Sequence, residues 1–141
     1  MTPLRALQDT LAAEHAAVYV YAVVGGRLSS SAYPTASRLV DAAYEVHRGR
    51  RDELRGVIAA SGHPPDPPAP AYRVSVQSRA AGPLLGVART TEERCAAVYA
   101  QLVAASTGQR RRWAITALTD SAVRVLGFGG TPSSYPGLPE L

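Results

Sequence analysis

The chain has 141 residues and a formal net charge of +4, with one Cys, one Trp, one Phe and no Lys or Asn. That length suits a single domain with one hydrophobic core, and the lone Cys excludes a disulfide framework or a cysteine-based structural zinc site. No run approaches the ~20 apolar residues of a membrane span, and the opening MTPLRALQDT lacks the basic and apolar regions of a signal peptide, so a cytoplasmic protein without membrane contact is expected.

With 25 Ala the composition favours helix. The first predicted helix is capped by Thr2, has Pro3 at its first position and is expected to end at Gly25-Gly26. Leu4, Leu7, Leu11, Val18 and Tyr21 share its apolar face, and Glu14 falls in the same series. The second helix is expected from Ser31–Pro34 to Gly62. Its stripe is Ala36, Val40, Ala43, His47, Leu54 and Ile58, interrupted by Arg51. Asp41, Glu45, Arg48, Arg50, Asp52, Glu53 and Arg55 form its charged face, with Arg48 and Asp52 spaced to pair.

Residues 62–82 form a stiff linker containing Pro64, Pro65, Pro67, Pro68 and Pro70. Only Tyr72-Arg73-Val74-Ser75-Val76 alternates as a strand would, and it is too isolated to found a sheet. Pro83 is expected to open a third helix whose stripe is Leu85, Ala88, Glu92, Cys95, Tyr99, Leu102 and Ser106. A fourth runs from about Gln109 to Leu126, with two competing stripes: Trp113, Ala117, Asp120, or Ile115, Leu118, Ala122, Val125. The helices and linker make one unit over 1–128, followed by an irregular C-terminal tail, 129–141.

Connection lengths select the topology. Short links make helices one and two, and three and four, antiparallel hairpins. The second helix is about 42 Å long at ~1.5 Å per residue, whereas the proline-rich linker reaches roughly 65 Å at ~3.1 Å per residue. An all-α, antiparallel four-helix bundle with one long crossover between helices two and three follows, which is ferritin-like connectivity.

Three of the helices place an ionisable residue in mid-stripe: Glu14, His47 and Glu92, with Asp120 a fourth candidate. Ferritin-like di-iron centres take a Glu from two helices and Glu-x-x-His from the other two, because residues three apart aim at one metal pair. Glu-x-x-His is absent here: Tyr44 stands three before His47, Cys95 three after Glu92 and Val123 three after Asp120. The favoured reading is a buried polar network of Glu14, His15, Tyr44, His47, Arg51 and Glu92, with Tyr19, Tyr44 or Tyr99 hydroxyls and Arg51 pairing the carboxylates. No catalytic residue and no cofactor is expected. The alternative is a divergent oxidoreductase binding iron or manganese through Glu14, His47, Glu92 and Asp120.

Leu11-Ala12-Ala13-Glu14-His15-Ala16-Ala17-Val18-Tyr19-Val20-Tyr21, His47-Arg48-Gly49-Arg50-Arg51-Asp52, Ala117-Leu118-Thr119-Asp120-Ser121-Ala122-Val123 and Tyr135-Pro136-Gly137 resemble an uncharacterised alanine-rich family of the ferritin-like superfamily. The resemblance spans residues 4–137. It implies a ferritin-like four-helix bundle, often paired as a homodimer, and no iron storage, since the family motif lacks the full ligand set.

The remaining features carry less. His63 lies solvated among prolines, and Cys95 reads as a small core residue. Arg110-Arg111-Arg112 sits at a helix N-terminus, where the helix dipole disfavours cations. The run is short and has only Trp113 beside it, so a solvated face is preferred over nucleic-acid binding. No phosphate loop, dinucleotide fingerprint, nucleophile elbow or zincin motif is present. A non-enzymatic structural or binding module is the resulting expectation.

Overall fold

The computed structural model describes residues 1–138, and of the tail expected at 129–141 the last three residues lie outside that range. Four helices account for the regular structure: α1 (Pro3–Arg27), α2 (Pro34–Ala60), α3 (Ala81–Ala105) and α4 (Gly108–Gly127). Thr2 Oγ1 accepts the Arg5 amide at 3.1 Å, capping α1 with Pro3 behind it. Two helices end on glycine for a stereochemical reason. Gly62 (φ +83°) and Gly129 (φ +85°) occupy the left-handed position after α2 and α4. In each case the next residue's amide returns to the carbonyl five residues back: His63 to Ile58, and Gly130 to Val125.

Side-chain pairings set the helix directions. Glu14 meets His47 and Gly25 lies against Val40, so α1 and α2 are antiparallel. Tyr21 reaches Ala88 while Tyr99 reaches Glu14, which makes α1 and α3 antiparallel as well. Arg124 faces Glu92 and Arg111 reaches Val103, so α4 runs back along α3. Because His47 meets Glu92 and Arg50 meets Tyr99, α2 and α3 are parallel, and the chain must cross the whole bundle between them. The crossover does so alongside α1. Gln8 clamps Pro64 O and the Asp66 amide at 2.8 and 2.9 Å, His15 Nε2 holds Asp66 O at 3.1 Å, and Arg27 donates to Val76 O. Its 72–76 segment alternates as expected, with Val76 buried and Arg73 and Ser75 exposed, but it serves to anchor an extended strap.

The core divides into two apolar clusters. One contains Tyr21, Val24, Leu28, Val40, Leu84 and Phe128; the other contains Leu7, Leu11, Leu54, Ile58, Leu102 and Ala114. Ala6, Ala17, Ala43, Ala88, Ala96, Ala114 and Ala117 are all buried, so many of the alanines lie on the seams where helices approach closely.

Several local expectations are corrected. Gly25-Gly26 does not end α1, because buried Val24 and Leu28 and the Arg27 tether extend the helix through it, outweighing the roughly 1 kcal/mol helical penalty of a glycine. α3 begins two residues before Pro83, whose missing amide is harmless in a first turn. Neither stripe foreseen for α4 is the buried one; Ala114, Ala117, Ser121 and Val125 face inward. Arg48 pairs with Glu45, and Asp52 pairs with Arg51 rather than Arg48.

Gly56 lies in α2 one turn before its end, and a Cβ there would point into open space; Gly62, by contrast, has a positive φ. Gly56→Ala should stabilise the fold by about 0.5–1 kcal/mol, and Gly62→Ala should destabilise it by about 1–2 kcal/mol. Urea denaturation of the two variants against the parent measures both.

Candidate functional site

At mid-height the two apolar clusters are separated by a band of charged side chains. Glu14 on α1, His47 on α2 and Glu92 on α3 are completely buried. His47 Nδ1 lies 2.7 Å from Glu14 Oε2, and its Nε2 lies 2.9 Å from Glu92 Oε1. Each ring nitrogen thus faces a carboxylate oxygen, the arrangement that suits an imidazolium donating from both sides. Burial alone would push the His47 pKa down, but the hydrogen bonds and charges of Glu14 and Glu92 outweigh it and raise it to about 9. For Glu92 the balance is the mirror image. Burial pushes its carboxyl up, yet the His47 hydrogen bond and charge, with the Tyr21 hydroxyl, hold it below the usual range.

Two tyrosines cross between the flanking helices. Tyr21 stands seven residues after Glu14 on α1, and Tyr99 seven after Glu92 on α3. Because these helices are antiparallel, each hydroxyl reaches the other helix's carboxylate: Tyr21 donates to Glu92 Oε1 at 2.5 Å and Tyr99 to Glu14 Oε1. Burial, then the adjacent carboxylate, pushes both phenols far above their ordinary pKa, fixing them as donors. The Tyr21 ring stacks on His47, 5.4 Å between centroids and 15° between planes.

α4 closes the circuit. Arg50 donates to Tyr99 Oη at 3.2 Å and to Asp120 Oδ2 at 2.5 Å. Arg124 Nη2 lies 2.9 Å from the same Asp120 oxygen, and its Nη1 lies 3.7 Å from Glu92 Oε2. Glu14, His47, Glu92, Arg124, Asp120, Arg50 and Tyr99 therefore form a closed ring contributed by all four helices. Its three carboxylates and three cations cancel, which is what makes a polar layer tolerable at this depth. The loosest corner is between α3 and α4, where Glu92 Oε2, Arg124 Nη1 and Ser121 Oγ are buried without a hydrogen-bond partner.

Of the residues anticipated for this network, the fold brings Glu14, His47 and Glu92 together and adds Asp120 through two arginines. It does not bring in the others. His15 turns outward to the crossover carbonyl of Asp66. Tyr44 packs half-buried against the apolar cluster, Tyr19 sits against Tyr72 near the surface, and Arg51 pairs with Asp52. Of the anticipated hydroxyls Tyr99 does join the ring, the second comes from Tyr21 instead of Tyr19 or Tyr44, and the guanidinium comes from Arg50, a residue that periodicity places on the exposed charged face. The sequence signal for these residues is nevertheless present: Glu-x₆-Tyr occurs on both α1 and α3, Arg50 follows His47 by three and Arg124 follows Asp120 by four.

The arrangement leaves little chemistry available. His47 has no free lone pair, the phenols are held protonated, and burial, with Glu14 and Glu92 nearby, pushes the Cys95 thiol well up, leaving it unreactive. Among the described residues no group of three or more His, Cys, Asp or Glu is arranged to hold a metal ion.

Removing one partner of a buried pair leaves its mate uncompensated. Glu14→Gln should therefore cost about 3–5 kcal/mol, against less than about 0.5 kcal/mol for exposed Glu93→Gln, by urea denaturation. His47 has a folded pKa near 9, above its ordinary 6.5, so its contribution is complete below 6.5 and lost as pH rises to 9. Unfolding free energy should fall across that window, and His47→Gln should flatten the fall.

The relatives say what kind of chain this is without saying what it does. No curated protein matches it. A crystal structure of a conserved hypothetical protein from Mycobacterium tuberculosis is similar, with 33% sequence identity and a TM-score of 0.80 over 89% of this chain and 93% of that one. A family model described as a domain of unknown function, DUF4439, matches residues 6–140. An all-α four-helix bundle whose match extends over nearly its whole length, this chain belongs to the DUF4439 family.

Proposed function

We propose that this chain is a ferritin-like bundle acting in the cytoplasm as a non-enzymatic structural or binding module, and that it works as a homodimer. The observation that carries the non-enzymatic reading is the position of His47. A ligand or base needs a free nitrogen lone pair, and both His47 nitrogens are donated to carboxylates inside the ring. The donor set does not suit iron or manganese. Glu14 spends both oxygens on His47 and Tyr99, Glu92 Oε1 accepts from His47 and Tyr21, and Glu92 Oε2 faces the Arg124 cation. Asp120, the fourth ligand of the oxidoreductase alternative, is shared by two arginines. The parallel α2 and α3 with a full-length crossover support the ferritin-like assignment.

The outer face of α4 supports the homodimer. Ile115, Val123 and Leu126 are 45, 62 and 44% exposed, and with Leu118 and Ala122 they make an apolar stripe along the helix. An antiparallel pairing of two α4 helices buries this stripe on itself. It also sets Arg111 and Arg112 of each copy beside the other's α4 C-terminus, where a helix dipole favours cations.

Protein purified without a metal-binding tag and loaded with iron or manganese should retain less than ~0.2 metal per chain; stoichiometric metal, lost in His47→Gln, would overturn the reading. In light scattering the parent should have twice the chain mass and Val123→Asp the mass of one chain, with unchanged helicity. A monomeric parent would remove the homodimer.

A further inference from the structure

We propose that the groove between the crossover and the outer face of α1 and α2 binds a small planar aromatic carboxylic acid. The groove has a volume of about 700 Å³, within the range of small-molecule sites. It lies outside the central ring, so its failure leaves the reading of that ring intact. The ring and the groove nevertheless share helices: Glu14 and Arg50 face the ring, whereas their neighbours His15 and Arg51 face the groove.

The aromatic wall is preformed. Tyr19 on α1 and Tyr72 on the crossover stand 5.4 Å apart with planes at 49°, and the Tyr72 hydroxyl is fixed by accepting the Ala69 amide at 2.9 Å. A flat ring entering here meets an aromatic surface with few rotors to freeze. His15 is held at the base by its bond to Asp66 O.

The charges on the opposite wall set the acid. Arg51 and Arg55 stand one turn apart on α2 and both line the groove. Arg51 is committed to Asp52, with Nε and Nη2 each 2.9 Å from the same oxygen. Arg55 makes no ion pair among the described residues, and its planar guanidinium presents the two parallel donors that a carboxylate accepts. The lining sets Arg51 and Arg55 against the one carboxylate of Asp66, and this excess of a single positive charge matches a singly charged carboxylate better than a doubly charged phosphate ester.

Isothermal titration of the full chain with 2-naphthoate tests this. One saturable site per chain is expected, with 2-naphthylmethanol, which lacks the charge, and cyclohexanecarboxylate, which lacks the aromatic ring, each binding at least tenfold more weakly. Arg55→Gln should erase the preference for naphthoate over naphthylmethanol, and Tyr19→Ala the preference over cyclohexanecarboxylate, both with parental helicity. No saturable binding, equal affinity for the three probes, or an unchanged affinity in Arg55→Gln would overturn the proposal.

Discussion

An imidazolium between two carboxylates, sealed from water in the middle of a small bundle, is stable only if every other charge around it is fixed. Removing an ion from water costs several kcal/mol even after relaxation, and mutual attraction recovers that cost only with near-complete hydrogen bonding. His47 meets the condition because each nitrogen has a carboxylate, each carboxylate has a tyrosine, and the outlying Asp120 is neutralised by Arg50 and Arg124. Removing Glu14, His47 or Glu92 strands a buried charge. The ring thereby couples α1, α2, α3 and α4 more tightly than their apolar contacts alone.

That coupling matters because the seams between the helices are lined by alanine. Small side chains permit close approach but interlock weakly, so alternative registers differ little in apolar packing alone. Sliding α1 by one turn along α3 moves Glu14 about 5.4 Å from Tyr99 and, in the same step, Tyr21 from Glu92. Both crossed bonds break together, and His47 loses its pairing with Glu14. The heptad spacing of Glu and Tyr on two antiparallel helices therefore selects one register.

Much of the fold is legible in the sequence because its signals are local or arithmetic. Periodicity locates the helices, and the proline-rich segment is long enough to return along the bundle and set α2 and α3 parallel. Glu14, His47 and Glu92 stand out because a charge on an apolar stripe contradicts its neighbours. Arg50 does not, since it lies among Arg48, Arg51 and Asp52, and a run of charges on one helix does not reveal which member a partner helix draws inward. Tyr21 reads as core and is core and donor at once. The inward stripe of α4 escapes periodicity because Ser121 and three small or branched residues face inward while Ile115, Val123 and Leu126 face out. A helix with an apolar outer face has no single stripe for periodicity to find.

The same two helices thus carry two environments of opposite character. Adjacent residues on a helix point about 100° apart, so Glu14 and Arg50 join the closed ring while His15 and Arg51 line the groove. The ring is held by ionic contacts that fail together. The crossover over the groove is held by separate hydrogen bonds from Gln8 and His15, each contributing only about 0.5–1.5 kcal/mol. Local opening follows the weakest cooperative unit, and none of these bonds shares a residue with the ring. A centre whose charges are paired with one another and an outer groove held by independent bonds thus share the same two helices.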